Sequence, residues 1–174
     1  FGTIRVGAVS FAGTAVGIAD VGFDGTNTHD GAHKGRSAGA TTHDVQWNYA
    51  MDDIALMVTT KTSTDDNAVS VAWTSGTMAI TVAHSAAGAT GGAKATAASI
   101  GTSVGGFAVS AVAAANSVAA NDSVGLSASM PVDGLGTVTF ITGSNDTDAQ
   151  SSMGVGFAKA LGGGATLKGY YGTV

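Results

Sequence analysis

VSVAWTSGTMAITVAH, residues Val69–His84, decides the fold. Val69, Val71 and Trp73 alternate with Ser70 and Ala72. After the turn TSGT, Met78, Ile80 and Val82 alternate with Ala79, Thr81 and Ala83. Side chains on a strand point alternately to opposite faces, so this reads as a hairpin with one large apolar face and one small, wettable face.

The same period of two recurs along the chain and predicts eleven strands. They lie near Gly2–Ala8, Asp44–Ala50, Asp53–Lys61, Ala68–Trp73, Met78–His84 and Ala98–Val104, then Phe107–Val112, Asp122–Met130, Gly136–Gly143, Ser152–Lys159 and Ala165–Gly172. No helical stripe interrupts them. From Asp44 onward the connections alternate in kind. Met51-Asp52, TSGT at 74–77, Gly105-Gly106, PVDG at 131–134 and ALGGG at 160–164 are tight. TSTDDN at 62–67, SAAGATGGAK at 85–94, NSVAAN at 116–121 and SNDTDAQ at 144–150 are longer and more polar. Gly and Asp-Gly suit tight hairpin turns. A soluble sandwich has no reason to keep such an asymmetry. An outer-membrane barrel does, with short turns at one end and loops at the other.

Composition points the same way. Only 11% of the 174 residues are charged, with 27 glycines, one proline and no cysteine; about 25% charged is usual in soluble domains. The net charge of -5 gives no support to nucleic-acid binding. The lack of cysteine excludes disulfides and thiolate metal sites. No apolar run is long enough for a membrane-spanning helix. FAVSAVAAANSVAA, from Phe107, is broken by Asn116 and Ser117. The chain opens at Phe1 without a methionine or a signal peptide, as a processed or partial chain would.

The predicted apolar face runs through Ile4, Val6, Val45, Trp47, Tyr49, Ile54, Leu56, Val58, Val69, Val71 and Trp73. It continues through Met78, Ile80, Val82, Ile100, Val104, Phe107, Val109, Val124, Leu126, Met130, Val138, Phe140, Met153, Val155, Phe157, Leu167 and Tyr171. The other face holds Thr3, Arg5, Gln46, Asn48, Ser70, Thr81, Ser99, Ser103, Ser110, Ser123, Ser127, Ser129, Thr137, Thr139 and Lys168. In a sandwich the apolar face is buried against a second sheet. In a membrane barrel it meets lipid, and the small polar face lines water. Phe1, Tyr49, Trp73, Phe107 and Phe157 fall near the tight-turn end, as an interfacial aromatic girdle would. Tyr170 and Tyr171 fall at the other end. Closure leaves no edge of unpaired backbone in lipid. Bacterial barrels use an even number of strands, so eleven imply a larger barrel, of about sixteen.

One connection breaks the rule. Residues 9–43 hold Asp20, Asp24, Asp30, His29, His33, Lys34 and Arg36, with His43 at the end. Long connections within compact domains are commonly functional or disordered. Folded into a lumen, this one narrows a pore and sets charge where solutes pass. FAGTAVGIADVGF within it has apolar residues suited to packing or a short helix. His29, Asp30 and His33 have a metal-like spacing, though glycines argue against a helix presenting both rings. No GxSxG elbow is present, and Gly162–Gly164 reads as a turn, because no Lys-Ser/Thr follows it. An enzyme is not expected.

Four segments carry a resemblance to a family. FGTIRVG, followed by the long connection, the pairs VQWNYAMDDIALMV and VSVAWTSGTMAITVAH, and above all SMGVGFAKALGGGATLKGYYG resemble general bacterial porins of the alphaproteobacterial, Rhodobacter type. The resemblance implies an all-β, antiparallel, up-and-down transmembrane barrel. Residues 1–174 would form one partial barrel domain, with FGTIRVG as the fifth of about sixteen strands and the last strand as the fifteenth. It also implies a homotrimeric passive-diffusion channel for small hydrophilic solutes and ions in the Gram-negative outer membrane, in contact with lipid and lipopolysaccharide. The loop in the pore would set acids against bases on the wall. Asp20, Asp24 and Asp30 are then candidate constriction acids and Arg5 a wall base, with His33, Lys34 and Arg36 modifying the field. Family members can bind calcium near this loop, for which Asp20 and Asp24 offer hard oxygens; no other cofactor is implied. The loop is richer in Gly, Ala and Thr and poorer in acids than the family pattern, which bears on charge selectivity. A structural or adhesive all-β surface protein, its apolar face buried on a partner, is the competing expectation.

Overall fold

The computed structural model describes residues 1–12, 16, 42–86, 94–117, 122–146 and 150–173. Eleven strands follow in chain order. They are β1 (Thr3–Ser10), β2 (Thr42–Met51), β3 (Ile54–Lys61), β4 (Asp66–Ser75), β5 (Met78–Ala86) and β6 (Lys94–Val104), then β7 (Phe107–Asn116), β8 (Ser123–Val132), β9 (Gly136–Asn145), β10 (Gln150–Gly162) and β11 (Ala165–Thr173). Each pairs antiparallel with its sequence neighbours in one sheet of order β1 to β11. The sheet is not closed: β1 and β11 are its edges. No second sheet covers it among the described residues, so the sandwich alternative does not hold there.

Local chemistry accounts for this meander. Two-residue turns at Gly76-Thr77, Gly105-Gly106 and Gly163-Gly164 join the strands at one end. Gly105 and Gly106 sit at φ of 59° and 86°, a region costly for residues with a Cβ. Asp52 reaches φ of 49° in the β2–β3 turn, a conformation that aspartate tolerates better than most. The strands run from 8 to 13 residues, close to the 9–11 that cross a bilayer's hydrocarbon when tilted.

Register confirms the two faces. Ile54 pairs with Trp73, Leu56 with Val71, and Val71 with Val82, all on the apolar face. Arg5 pairs with Gln46, Ser70 with Ala83, and Ser110 with Ser127, all on the small-residue face. The apolar face is the exposed one: Val6 is 80% exposed, Met153 65% and Phe140 54%. What is buried lies largely on the opposite face, in two clusters built mainly of alanine and valine with Phe11. A protein folded for water reverses this order, because each large apolar side chain left in water forgoes about 1.5–3 kcal/mol.

Glycines also seat rings across strands. Tyr170 lies over Gly154, where an added Cβ would come within 2.8 Å of its ring. Phe157 lies over Gly169 on the opposite face. Both pairs tie β10 to β11.

Several expectations shift in detail. β6 starts at Lys94 and β7 runs to Asn116, so alanine stretches expected in or near loops are strand. Alanine is a poor strand former alone, but here the ladder holds it: Ala97 pairs with Ala114. Met57, Val112, Ile141 and Tyr170 stand on the small-residue face by register, among residues read as small and polar.

Candidate pore wall and its loop anchor

The small-residue face is the candidate site. Arg5 stands on β1 beside Gln46 and Asn48 of β2. With Thr3 and Met57 these side chains line a hollow of about 410 Å³. Lys61 and Asp66 pair at the loop end of the same face. The Asp44 carboxylate accepts from the Thr62 amide and from its hydroxyl, both at 2.9 Å. Thr64 donates to Asp66 at 2.8 Å.

From β5 to β10 this face carries no charged side chain among the described residues. Hydroxyls take their place: Ser110 and Ser127 are 2.6 Å apart, and Ser129 and Thr139 are 2.9 Å apart. Lys168 returns a positive charge on β11, opposite Ala158. Such a wall is wettable without being strongly charged over most of its width.

The long connection begins by turning onto this face. An extra residue in β1 shifts the register between Val6 and Val9, and a bulge of this kind re-aims a strand. Beyond it Phe11 is 1% exposed and Ala12 fully buried. Both pack on Ala68 of β4, with Met57 of β3 alongside. The Ala12 amide donates to Thr59 Oγ1 at 3.1 Å, and the Gln46 amide donates to the Ser10 carbonyl at 3.3 Å. Further along, Val16 is buried with Ala83, Ala97, Val112 and Ala114 of β5, β6 and β7.

His43, at the other end of the connection, meets Phe11 with ring centroids 4.8 Å apart. It is fully buried, and neither ring nitrogen makes a hydrogen bond. The sequence groups His43 with the charges of the connection; the structure makes it a packing residue.

Of the expected constriction residues, Arg5 is exposed on the wall face. Asp20, Asp24, Asp30, His33, Lys34 and Arg36 lie outside the described residues, as do the calcium candidates Asp20 and Asp24, the His29–Asp30–His33 group and most of FAGTAVGIADVGF. Among the described residues no group of three or more His or Asp side chains is placed to hold a metal ion. The aromatic residues Tyr49, Trp73, Phe107 and Phe157 stand on the apolar face near the tight turns, and Phe1 precedes β1 at the same end. Trp47 joins them, stacked on Tyr49 at 5.9 Å and donating to the Phe1 carbonyl at 3.0 Å. Phe11, Ala12, Val16 and Thr59 are the functional candidates that the residue pattern did not single out. For Phe11, Ala12 and Val16 the signal was present only as apolar residues able to pack; Thr59 gave none.

The eleven-stranded fold has counterparts among solved structures. A double mutant of Rh. blastica porin superposes with a TM-score of 0.69 at 15% identity, covering 98% of this chain and 67% of that one. The fold is that of a porin. A triple mutant of the same porin matches at 0.69 and 14% identity, and a structure described as "Asymmetric conductivity of engineered proteins" at 0.71 and 15%, both with the same coverage. No family pattern and no curated protein matches the sequence. At such identity the porin likeness is one of fold, and it agrees with the eleven-stranded meander found by register.

Proposed function

We propose that this porin-fold chain is the larger part of a passive diffusion channel for small hydrophilic solutes and ions in a Gram-negative outer membrane. One observation carries the reading. The sheet exposes its large apolar side chains and turns hydroxyls, alanines and a few charges to the opposite face, where its own chain starts across. Lipid satisfies the first face and a water-filled lumen the second.

On this reading lipid and lipopolysaccharide surround the barrel, and three copies assemble. Residues 9–43 form the constriction. Asp20, Asp24 and Asp30 face bases that include Arg5, while His33, Lys34 and Arg36 tune the field. Asp20 and Asp24 also supply any calcium site. The aromatics Phe1, Tyr49, Trp73, Phe107 and Phe157 mark the membrane boundary. Solute passage then follows size and wettability more than charge across β5–β10, where the described wall is neutral.

Recording current from the full-length protein in a planar bilayer tests this. Discrete steps that add in threes are expected, and deletion of Gly22–Gly35 should raise their size. A silent bilayer with folded protein would overturn the channel and favour a surface-assembly role. Unchanged steps after the deletion would remove the constriction alone.

A further inference from the structure

Why the long connection turns onto the wall, instead of leaving the sheet at the loop end, is answered by residues on β2, β3 and β4. We infer that His43, Gln46, Met57, Thr59 and Ala68 form a socket that captures Phe11 and Ala12 and so positions the constriction of the channel, an assignment that rests on the function proposed above.

Each member has a distinct task. Gln46 holds the carbonyl of Ser10, the last residue of β1. Its Nε2 also lies 3.2 Å from Met57 Sδ, which orients the thioether beside Phe11. Thr59 supplies the acceptor for the Ala12 amide, which leaves the ladder where β1 ends. A buried amide without an acceptor is costly, so this bond favours the inward path over one that buries the amide unpaired. Ala68 is small enough to let the Phe11 ring reach the wall. The His43 ring closes the socket at the far end of the connection, so that both ends meet in one packed unit.

A second foothold sets the direction. Val16 lies four residues beyond Ala12, and its buried neighbours come from β5, β6 and β7. The socket residues come from β2, β3 and β4. Val16 is therefore displaced across the strands from Ala12, where Ala83, Ala97 and Ala114 leave room for it. A wall of leucines in those positions would lift it away. Thr59 and Ala68 are positioning residues here: they touch the connection, not the solute.

No cysteine stands among these 174 residues, so an introduced pair reacts against a clean background within them. The full-length protein carrying Val16→Cys with Ala97→Cys is treated with a short bis-maleimide. Val16→Cys with Ala98→Cys, one residue along β6 and on the apolar face, is the control. Cross-linking of the first pair and not the second is expected. Equal reaction of both, or no reaction of the first, overturns the path whatever the channel does.

Bilayer recordings then compare Thr59→Val with Thr59→Ser. Thr59→Val keeps the shape and loses the acceptor; it should shift the single-channel conductance and the solute-size cutoff upward. Thr59→Ser keeps the hydroxyl and should restore both. If the two variants conduct alike, with equal folded fractions by heat-modifiable migration, the socket does not position the constriction. A wild-type protein that never conducts removes the channel reading, and the cross-link still decides whether the chain is held on the wall.

Discussion

Val6, Phe140 and Met153 are more than half exposed on one face of the sheet, while Ala83, Ser127 and Ile141 on the other are almost wholly covered. A single strand often contributes to both sets: in β9 Phe140 is 54% exposed and the adjacent Ile141 2%. Burial follows neither hydrophobicity nor position along the chain. It follows which face the pleat assigns, and that face is covered in part by the chain's own connection, at Phe11, Ala12 and Val16. The difference is the one expected of the proposed setting, with lipid against one face and water against the other: large apolar residues stand on the first, and small ones where backbone or water comes close.

Placing charge on each face in turn is the harshest way to break this comparison. Val71→Arg on the apolar face of β4 should cost about 2–4 kcal/mol if the site lies near the bilayer midplane. Ala72→Arg, one residue on, should cost far less. Urea unfolding in lipid vesicles measures both, and equal costs would end the two-solvent account.

A smaller effect sharpens the inner side. Gly154→Val intrudes on the Tyr170 ring, which an added Cβ meets at 2.8 Å. Displacing that ring should cost about 1–3 kcal/mol, as overpacking commonly does. The temperature at which the folded band is lost on detergent gels should fall accordingly; an unchanged temperature would mean that the Tyr170–Gly154 contact contributes nothing.

The smallest expected change concerns the hydroxyl pairs. Ser110→Ala removes the partner of Ser127, itself only 3% exposed. A loss of about 1 kcal/mol is expected in the same unfolding assay. A stability gain would mark that stretch of wall as dry instead of wetted.

Much of the fold was legible in the chain because its determinants are local. Alternation at Val69–Val82 sets faces within a few residues, and Gly105-Gly106 specifies a turn through its own φ angles. Strand ends were less legible. Lys94–Ala97 and Ala113–Asn116 have weak strand preference of their own, and they are strand because partners on β5, β7 and β8 accept their backbone groups. The candidate site was legible in part. Arg5 fell on the expected face, but Thr59 looks like any strand threonine until Ala12, 47 residues earlier in the chain, donates to it.

By itself, then, the sequence determined the number of strands, their two unlike faces and the alternation of tight and long connections. Each of these depends on a residue and its near neighbours, through the period of two and the φ preferences of glycine and aspartate. Only the tertiary structure decided that Val112 and Ile141 are buried on the small-residue face, that His43 packs on Phe11, and that the chain after Ser10 turns across the wall. Those outcomes depend on groups brought together from distant strands, and on a bulge between Val6 and Val9, where Gly7 takes a φ of 118°.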